Sequence, residues 1–385
     1  MKWEKVKLGE LYEVHNGLSK AGKFFGEGYP FLTFSTVFNN YFIPKQITDL
    51  VQSTEKEQES YSIRRGDVFV TRTSETSDEL GMSCVALKDY PMATYNGFTK
   101  RMRPITNRVF PEYIGYYMRL PSFRGEFRAF STMTTRASLR NEDLLGLEVK
   151  LPSIEIQKQI AGILSAYDDL IENNQKQIKL LEEAAQRLYK EWFVDLHFPG
   201  HENTKIVDGV PEGWIKEEIG KIIKKVHRTK QIVASEYKDE GSIPIVDQSR
   251  AFVAGYTNDL EARVDFGIPI IVFGDHTRIV KLIQFPFAKG ADGTQLIISG
   301  CLEMPQRLLY CSIMNVDLSN YHYARHFKYL KEEKIMIPTV KVANEFENNV
   351  TGIFSKIQNC RDEIIRCQKT RDLLLPKLMS GEVEV

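Results

Sequence analysis

One stretch limits what this chain can fold into more than any other. "QIAGILSAYDDLIENNQKQIKLLEEAAQRLYKEW", beginning at Gln159, has no proline and a single glycine. Stepping alternately by four and three gives Ile160, Leu164, Tyr167, Ile171, Asn174, Ile178, Leu181, Ala185, Leu188 and Trp192. Only Asn174 interrupts an apolar seam held for nearly five heptads, the spacing of a helix that faces one partner helix. Adding 186 to each number gives Phe346, Val350, Ile353, Ile357, Cys360, Ile364, Cys367, Arg371, Leu374 and Leu378, and nine of these ten are apolar. The rod therefore occurs twice. "LPSIEIQKQ" at Leu151 and "IPTVKVANE" at Ile337 announce the two copies alike, each with a proline expected just inside the helix start.

A stripe this narrow suits pairing of the two rods better than burial on many sides, and a polar residue in such a seam sets register. From Ile160 to Trp192 a helix carries the chain roughly 50 Å at about 1.5 Å per residue. A new globular segment follows, so the second helix must return, and the pair should be antiparallel with a globular domain at each end. The globular parts also open alike. Trp3 matches Trp214, and Leu8-Gly9 matches Ile219-Gly220, now 211 apart. Since 211 − 186 = 25, the second domain is 25 residues shorter; the two start and end alike but should differ in the middle.

Composition excludes several classes. Apolar content of 42% and charged content of 26% fit a globular protein with sizeable cores, no apolar run is long enough to cross a membrane, and "MKWEKVKLGE" lacks a signal-peptide core. A cytoplasmic chain is expected, with five cysteines (Cys84, Cys301, Cys311, Cys360, Cys367) as plain buried thiols. The 51 basic and 51 acidic residues balance, but they are segregated. Nine bases between Lys100 and Arg140 face only Glu112 and Glu126; Lys221, Lys224, Lys225, Arg228 and Lys230 form a second basic run. Acids gather on the first rod at Asp168, Asp169, Glu172, Glu182 and Glu183.

Motifs of catalysis are incomplete. "GLSKAGKF" (Gly17–Phe24) misses the hydroxyl that would hold Mg²⁺ in a phosphate loop, and "FFGEGYPF" follows no strand signal. No Pro-Pro occurs, so the base-clamping loop of an amino-methyltransferase is missing. "HFPGH" (His197, His201) and "HYARH" (His322, His326) lack further ligands at metal spacing, and no metal site is expected. What remains is polar, aromatic and basic. "RRGDVFVTRTSETSDELGMSCVAL" from Arg64 and "IPIIVFGDHTRIVKLIQFPFAKGADGTQLI" from Ile268 each read as strand, polar loop, strand. Arg72 and Thr73 end the first strand; Gly274, Asp275, His276, Thr277 and Arg278 form the second loop. Such groups suit base edges and phosphates. "STMTTRASLRNEDLLG" and "NYHYARHFKYLKE", which close the two domains, have the same character.

The order of Trp leader, reader, "LPSIEIQKQIAGILSAYDDLIENNQKQIKLLEEAAQRLYKEWF", "PEGW", second reader and "RDLLLPKLMSGEVEV" resembles the specificity subunit of type I restriction-modification enzymes over essentially the whole chain. The resemblance implies an α+β fold: two mixed α/β target-recognition domains joined by two long helices that pair as an antiparallel intramolecular coiled coil, with an internal pseudo-twofold repeat. The expected divisions are 1–150 for the first target-recognition domain and 151–197 for the central helix. The linker and second domain take 198–336, and the distal helix takes 337–385. Each reader would bind half of a bipartite, asymmetric site in double-stranded DNA, with the helices as spacer. The chain would be non-catalytic and without cofactor. It would dock two methyltransferase subunits and, through them, restriction-translocase subunits; S-adenosylmethionine, ATP and Mg²⁺ belong to those partners. The acidic face of the first rod is the expected docking surface. Position and chemistry select Arg72, Thr73, Lys100, Arg101, Arg136, Arg140, Arg250, His276, Thr277, Arg278, Lys289, Arg325 and Lys328 as candidate DNA contacts. A subunit of a modification-only or related phage-defence methyltransferase system is an alternative. A fused nuclease or methyltransferase, and a scaffold whose rods pair between chains, are the competitors from other classes.

Overall fold

The structure, a computed structural model, describes residues 3–74, 80–130, 137–227, 229–321 and 325–385. It divides into two compact units. The first comprises residues 1–172 and 364–385, the second residues 173–363. Two long helices, Ile154–Phe193 of 40 residues and Val340–Ser380 of 41, run through both. Neither begins on its proline. Ser153 and Thr339 occupy the N-cap positions, their carbonyls accepting from Gln157 N–H at 3.0 Å and Ala343 N–H at 3.0 Å. Pro152 and Pro338 stand one residue earlier, where they fix the entering chain instead of filling the first turn.

Within each unit the helices lie side by side and antiparallel. In the first, Ile160, Ala161 and Leu164 share one core with Leu375, Leu378 and Met379, and Arg371 Nη1 meets Asp168 Oδ1 at 2.5 Å. In the second, the Phe346 ring packs on Trp192 at 5.8 Å and on Tyr189 at 6.3 Å, while Arg361 Nη2 meets Glu182 Oε1 at 2.8 Å. Residue numbers rise on one helix as they fall on the other. None of the twenty seam positions is exposed, and Asn174 is only 2% accessible. The seam is wider than a two-helix coil requires, because each helix end also packs on a globular domain. Gln157 is buried there: its Oε1 accepts from Phe110 N–H and its Nε2 donates to Arg108 O and Pro152 O.

Two acids expected on an outward face point elsewhere. Asp168 and Glu182 are ion-paired to the second helix, and Asp168 also accepts from Tyr116 Oη at 2.5 Å. Burial, and then the Asp168 carboxylate, push the Tyr116 phenol well above its ordinary value, which keeps it a donor. Asp169 and Glu183 do face solvent, Glu172 meets Lys45 at 3.6 Å, and exposed apolar side chains, Ile163, Leu170 and Leu180, join them.

The repeat extends to hydrogen-bond register. Strand Glu4–Lys7 pairs antiparallel with Glu148–Leu151, so Glu4 faces Leu151; strand Ile215–Glu218 pairs with Lys334–Ile337, so Ile215 faces Ile337. These partners differ by 211 and by 186, the two offsets in the sequence. Gly9 sits against the Leu145 carbonyl and Gly220 against the Lys331 carbonyl, at 3.2 and 3.0 Å from where a Cβ would stand. Leu8 N–H donates to Leu147 O, and Ile219 N–H to Glu333 O, each at a helix end. The likeness goes deeper than expected, into the middles of the domains. Each holds a four-stranded antiparallel sheet of matching order: Tyr12–Asn16, Thr99–Pro104, Val68–Thr71, Ser83–Val85 in one; Ile223–Lys224, Thr294–Ser299, Ile270–Gly274, Val280–Ile283 in the other. The units diverge in a second sheet. Leu50–Val51, Phe25–Leu32 and Thr94–Tyr95 form a three-stranded one in the first unit. In the second unit a five-stranded sheet takes its place, centred on Phe287–Gly290 and Ile243–Val246.

Two outcomes follow for stability. Asp168→Ala leaves the buried Tyr116 hydroxyl without its acceptor and Arg371 with Asp372 alone, and should cost about 1–3 kcal/mol. Thermal unfolding followed by circular dichroism should show the loss, and Asp168→Asn should recover part of it. Gly220→Val drives two methyls at the Lys331 backbone and should cost about 1–3 kcal/mol as an overpacking change; a melting curve within a degree of the parent would contradict the contact.

Candidate nucleic-acid interface

In the first unit the candidates gather where strand Val68–Thr71 ends. Arg72 follows it, its N–H donating to Phe98 O and its Nη1 reaching Asn16 Oδ1 at 3.4 Å. Its Nε is buried without a hydrogen-bond partner. Thr73 pairs with Ser138 in a two-stranded ladder, and both Arg72 and Thr73 are half-buried. Lys100 and Arg101 do not present free heads at the surface. Each is at most 5% accessible on the central strand Thr99–Pro104. Lys100 donates to Asn141; Arg101 donates to Ser62 O at 2.8 Å and lies over the Tyr95 ring at 5.5 Å. Burial lowers the pKa of both. They brace the site from behind, because a central strand buries both of its faces. Arg140 is exposed and forks onto Asp143 at 2.9 Å. Arg136 lies outside the described residues.

In the second unit three loops meet at one side chain the sequence did not single out. Gln248 accepts from His276 N–H at 3.1 Å through Oε1 and donates to Asp292 O at 2.9 Å through Nε2. Its own carbonyl accepts from the Thr277 hydroxyl at 2.6 Å. Gly293, beside the same amide, takes a left-handed φ of 80°, which favours glycine in that turn. The loop carrying Gln248 and Arg250 is held from below by Lys281, whose Nζ donates to Asp247 O at 2.8 Å and lies 3.9 Å from the Asp247 carboxylate. On this platform Arg250, His276, Thr277 and Arg278 are exposed. Arg278 takes a left-handed φ of 61° and donates from Nη1 to Leu318 O, a constrained placement for a long side chain.

Asp275, grouped with the base-reading loop by sequence, is a structural cap. It is buried, its carboxylate accepts from Phe327 N–H at 2.8 Å, and its carbonyl accepts from His326 N–H at 2.9 Å, so it starts helix His326–Glu332. Arg325 and Lys328 flank that start and are exposed; Lys289 is half-buried on its strand, its pKa lowered by burial. His322 lies outside the described residues, and among the described residues no cluster of three His, Cys, Asp or Glu is placed to hold a metal. "GLSKAGKF" is a braced turn, with Lys20 on Glu57 at 2.8 Å. Among the described residues no helix is long and apolar enough to cross a membrane.

Known proteins resemble this arrangement. Residues 1–183 match the family model described as the type I restriction modification DNA specificity domain. The type I restriction enzyme MjaIX specificity subunit of Methanocaldococcus jannaschii is 28% identical over 414 residues, covering 100% of this chain and 94% of that protein. The HindI specificity subunit of Haemophilus influenzae is 26% identical over 200 residues, 50% of this chain and 41% of that one. The crystal structure of the type I restriction-modification S subunit from M. genitalium matches with a TM-score of 0.59 at 15% identity, over 98% of this chain and 96% of that chain, a likeness of fold. With a paired-helix frame repeated in register, a DNA specificity domain matched over residues 1–183 and a relative aligned along its whole length, the chain is similar to type I restriction-modification specificity subunits.

Proposed function

We propose that this chain selects the DNA sequence on which a type I restriction-modification complex acts, each unit reading one half of a bipartite, asymmetric site. The observation that supports this most is one frame, repeated down to the Gly9 and Gly220 contacts, carrying two different second sheets and two different loop sets. Identical readers would select a symmetric target; unlike readers select an asymmetric one. In the first unit Arg72, Thr73 and Arg140 are the contacts, with Lys100 and Arg101 bracing them. In the second they are Arg250, His276, Thr277, Arg278, Lys289, Arg325 and Lys328. Arg suits bidentate contact with guanine, and the remaining groups suit other base edges and phosphates.

Chemistry on this reading falls to partners. Two methyltransferase subunits would bring S-adenosylmethionine and flip the target adenine, and restriction subunits would bring ATP and Mg²⁺. On the central helix, Ile163, Leu170 and Leu180 stand exposed beside Asp169 and Glu183, a mixed apolar and acidic surface suited to a protein rather than to phosphate.

Sequencing methylated bases in a host with and without this gene tests the reading: a split motif should vanish with the gene, and an unchanged methylation pattern would refute it. Gln248→Ala, which unties three loops at once, should lower the preference for the selected site over a scrambled duplex about 10- to 100-fold, since each misread base pair costs about 1–3 kcal/mol. Competition binding measures this directly. Removing one matched heptad from each helix shortens the frame by about 10 Å, so the unread spacer should shorten by about three base pairs.

A further inference from the structure

The second basic run of the sequence does not act as one group. Lys221 is paired with Glu217 at 2.9 Å and Lys230 with Asp259 at 2.7 Å, so the two ends of the run are neutralised. Lys224 and Lys225 between them are exposed and, among the described residues, form no ion pair. They open onto a cleft of about 930 Å³. Lys331 enters it from helix His326–Glu332, its Nζ over the Phe327 ring at 5.3 Å; Lys289 enters from the five-stranded sheet, and His227 from beyond the edge strand. Among the described residues no acid lines the cleft. The remaining polar lining, Thr229, Gln231 and Gln295, offers uncharged hydrogen-bonding groups. Four ammonium groups converging on an open cleft repel one another, and Asp292 offsets part of that repulsion at Lys289.

The matching positions of the first unit carry no lysine. Adding 211 to Glu13, Val14 and Asn16 gives Lys224, Lys225 and His227; adding 186 to Leu145 gives Lys331. The frame is the same, since Gly9 touches Leu145 as Gly220 touches Lys331, but the charge is not. A fold that needed lysines here would carry them in both units. The cleft also adjoins the reader loops, because Phe327 lines it and donates its N–H to Asp275.

We propose that this cleft in the second unit grips the sugar-phosphate backbone of the DNA without regard to sequence, so that the electrostatic share of binding rests mainly on one reader. The proposal rests on the chain being a DNA reader, and assigns within it which residues hold and which read. Phosphate contacts release counterions, each adding about 0.9 to the slope of log affinity against log salt, whereas base contacts alter preference between sequences.

The full-length chain is titrated with two duplexes between 50 and 200 mM salt: one enriched by this chain from a random pool, one scrambled. For Lys224→Gln/Lys225→Gln/Lys289→Gln/Lys331→Gln the slope should fall by about 2–3 on both duplexes, with the preference between them within about twofold of the parent. Lys221→Gln/Lys230→Gln, from the same run but already paired, should leave the slope within about 0.5 of the parent. An unchanged slope in the quadruple variant, or an unchanged slope with lost preference, overturns the assignment. If the quadruple variant melts earlier than the parent, Lys224→Gln/Lys225→Gln, confined to exposed positions, replaces it with an expected fall of about 1–2. A parent chain that enriches no sequence refutes the reading of function instead, and the scrambled duplex still tests the cleft.

Discussion

Everything in this molecule hangs on two helices of about forty residues that cannot stand alone in water as ordered rods. Their stability comes from burying a stripe, and each finds its partner in the other and in the domains at its ends. Because one chain supplies both, the partner is always present and its register is fixed by covalent connection as well as by contact. The buried Asn174 adds a polar check on that register. The first domain is tied to the same seam: Gln157 holds the start of the first helix to the segment before Pro111, and Tyr116 reaches Asp168 from helix Pro111–Tyr117.

The two units solve one packing problem with different chemistry. At the place where Tyr116 donates to Asp168, the second unit sets Tyr310 edge-on against Phe354 at 5.6 Å, and 168 plus 186 is 354. A carboxylate that needs two donors and a ring that needs none occupy equivalent seats. The frame thus tolerates exchange of a hydrogen-bonded carboxylate for an aromatic ring at one seat. That tolerance is what permits unlike reading surfaces to be mounted on like supports.

The frame could be read from sequence because it rests on period and repetition, which one chain displays. Seam, offsets and glycine contacts all follow from counting. The loops could not be read in the same way. Arg101 and Arg250 look equally available in sequence, yet one sits on a central strand and the other on a loop tip; only strand order tells them apart. Gln248 gave no signal at all, since an amide acts as a hub only once three distant turns are brought to it. Asp275 carried a misleading one, for it sits in a loop between two strands and its carboxylate serves a helix start far along the chain. The prolines at 152 and 338 marked both helix starts but one cap too early.

The ion pairs across the seam also forbid a mismatch. The first helix supplies the acids and the second the arginines. Were two copies of the first helix to lie together in the same register, Asp168 would face Ala185 and Glu182 would face Gln175 (371 − 186 and 361 − 186). Two copies of the second would set Arg371 against Phe354 (168 + 186). Segments similar enough to be recognised as duplicates have become, through two charge pairs, complementary rather than interchangeable. Like-with-like association of neighbouring chains loses both bonds, while the fold-back within one chain keeps them.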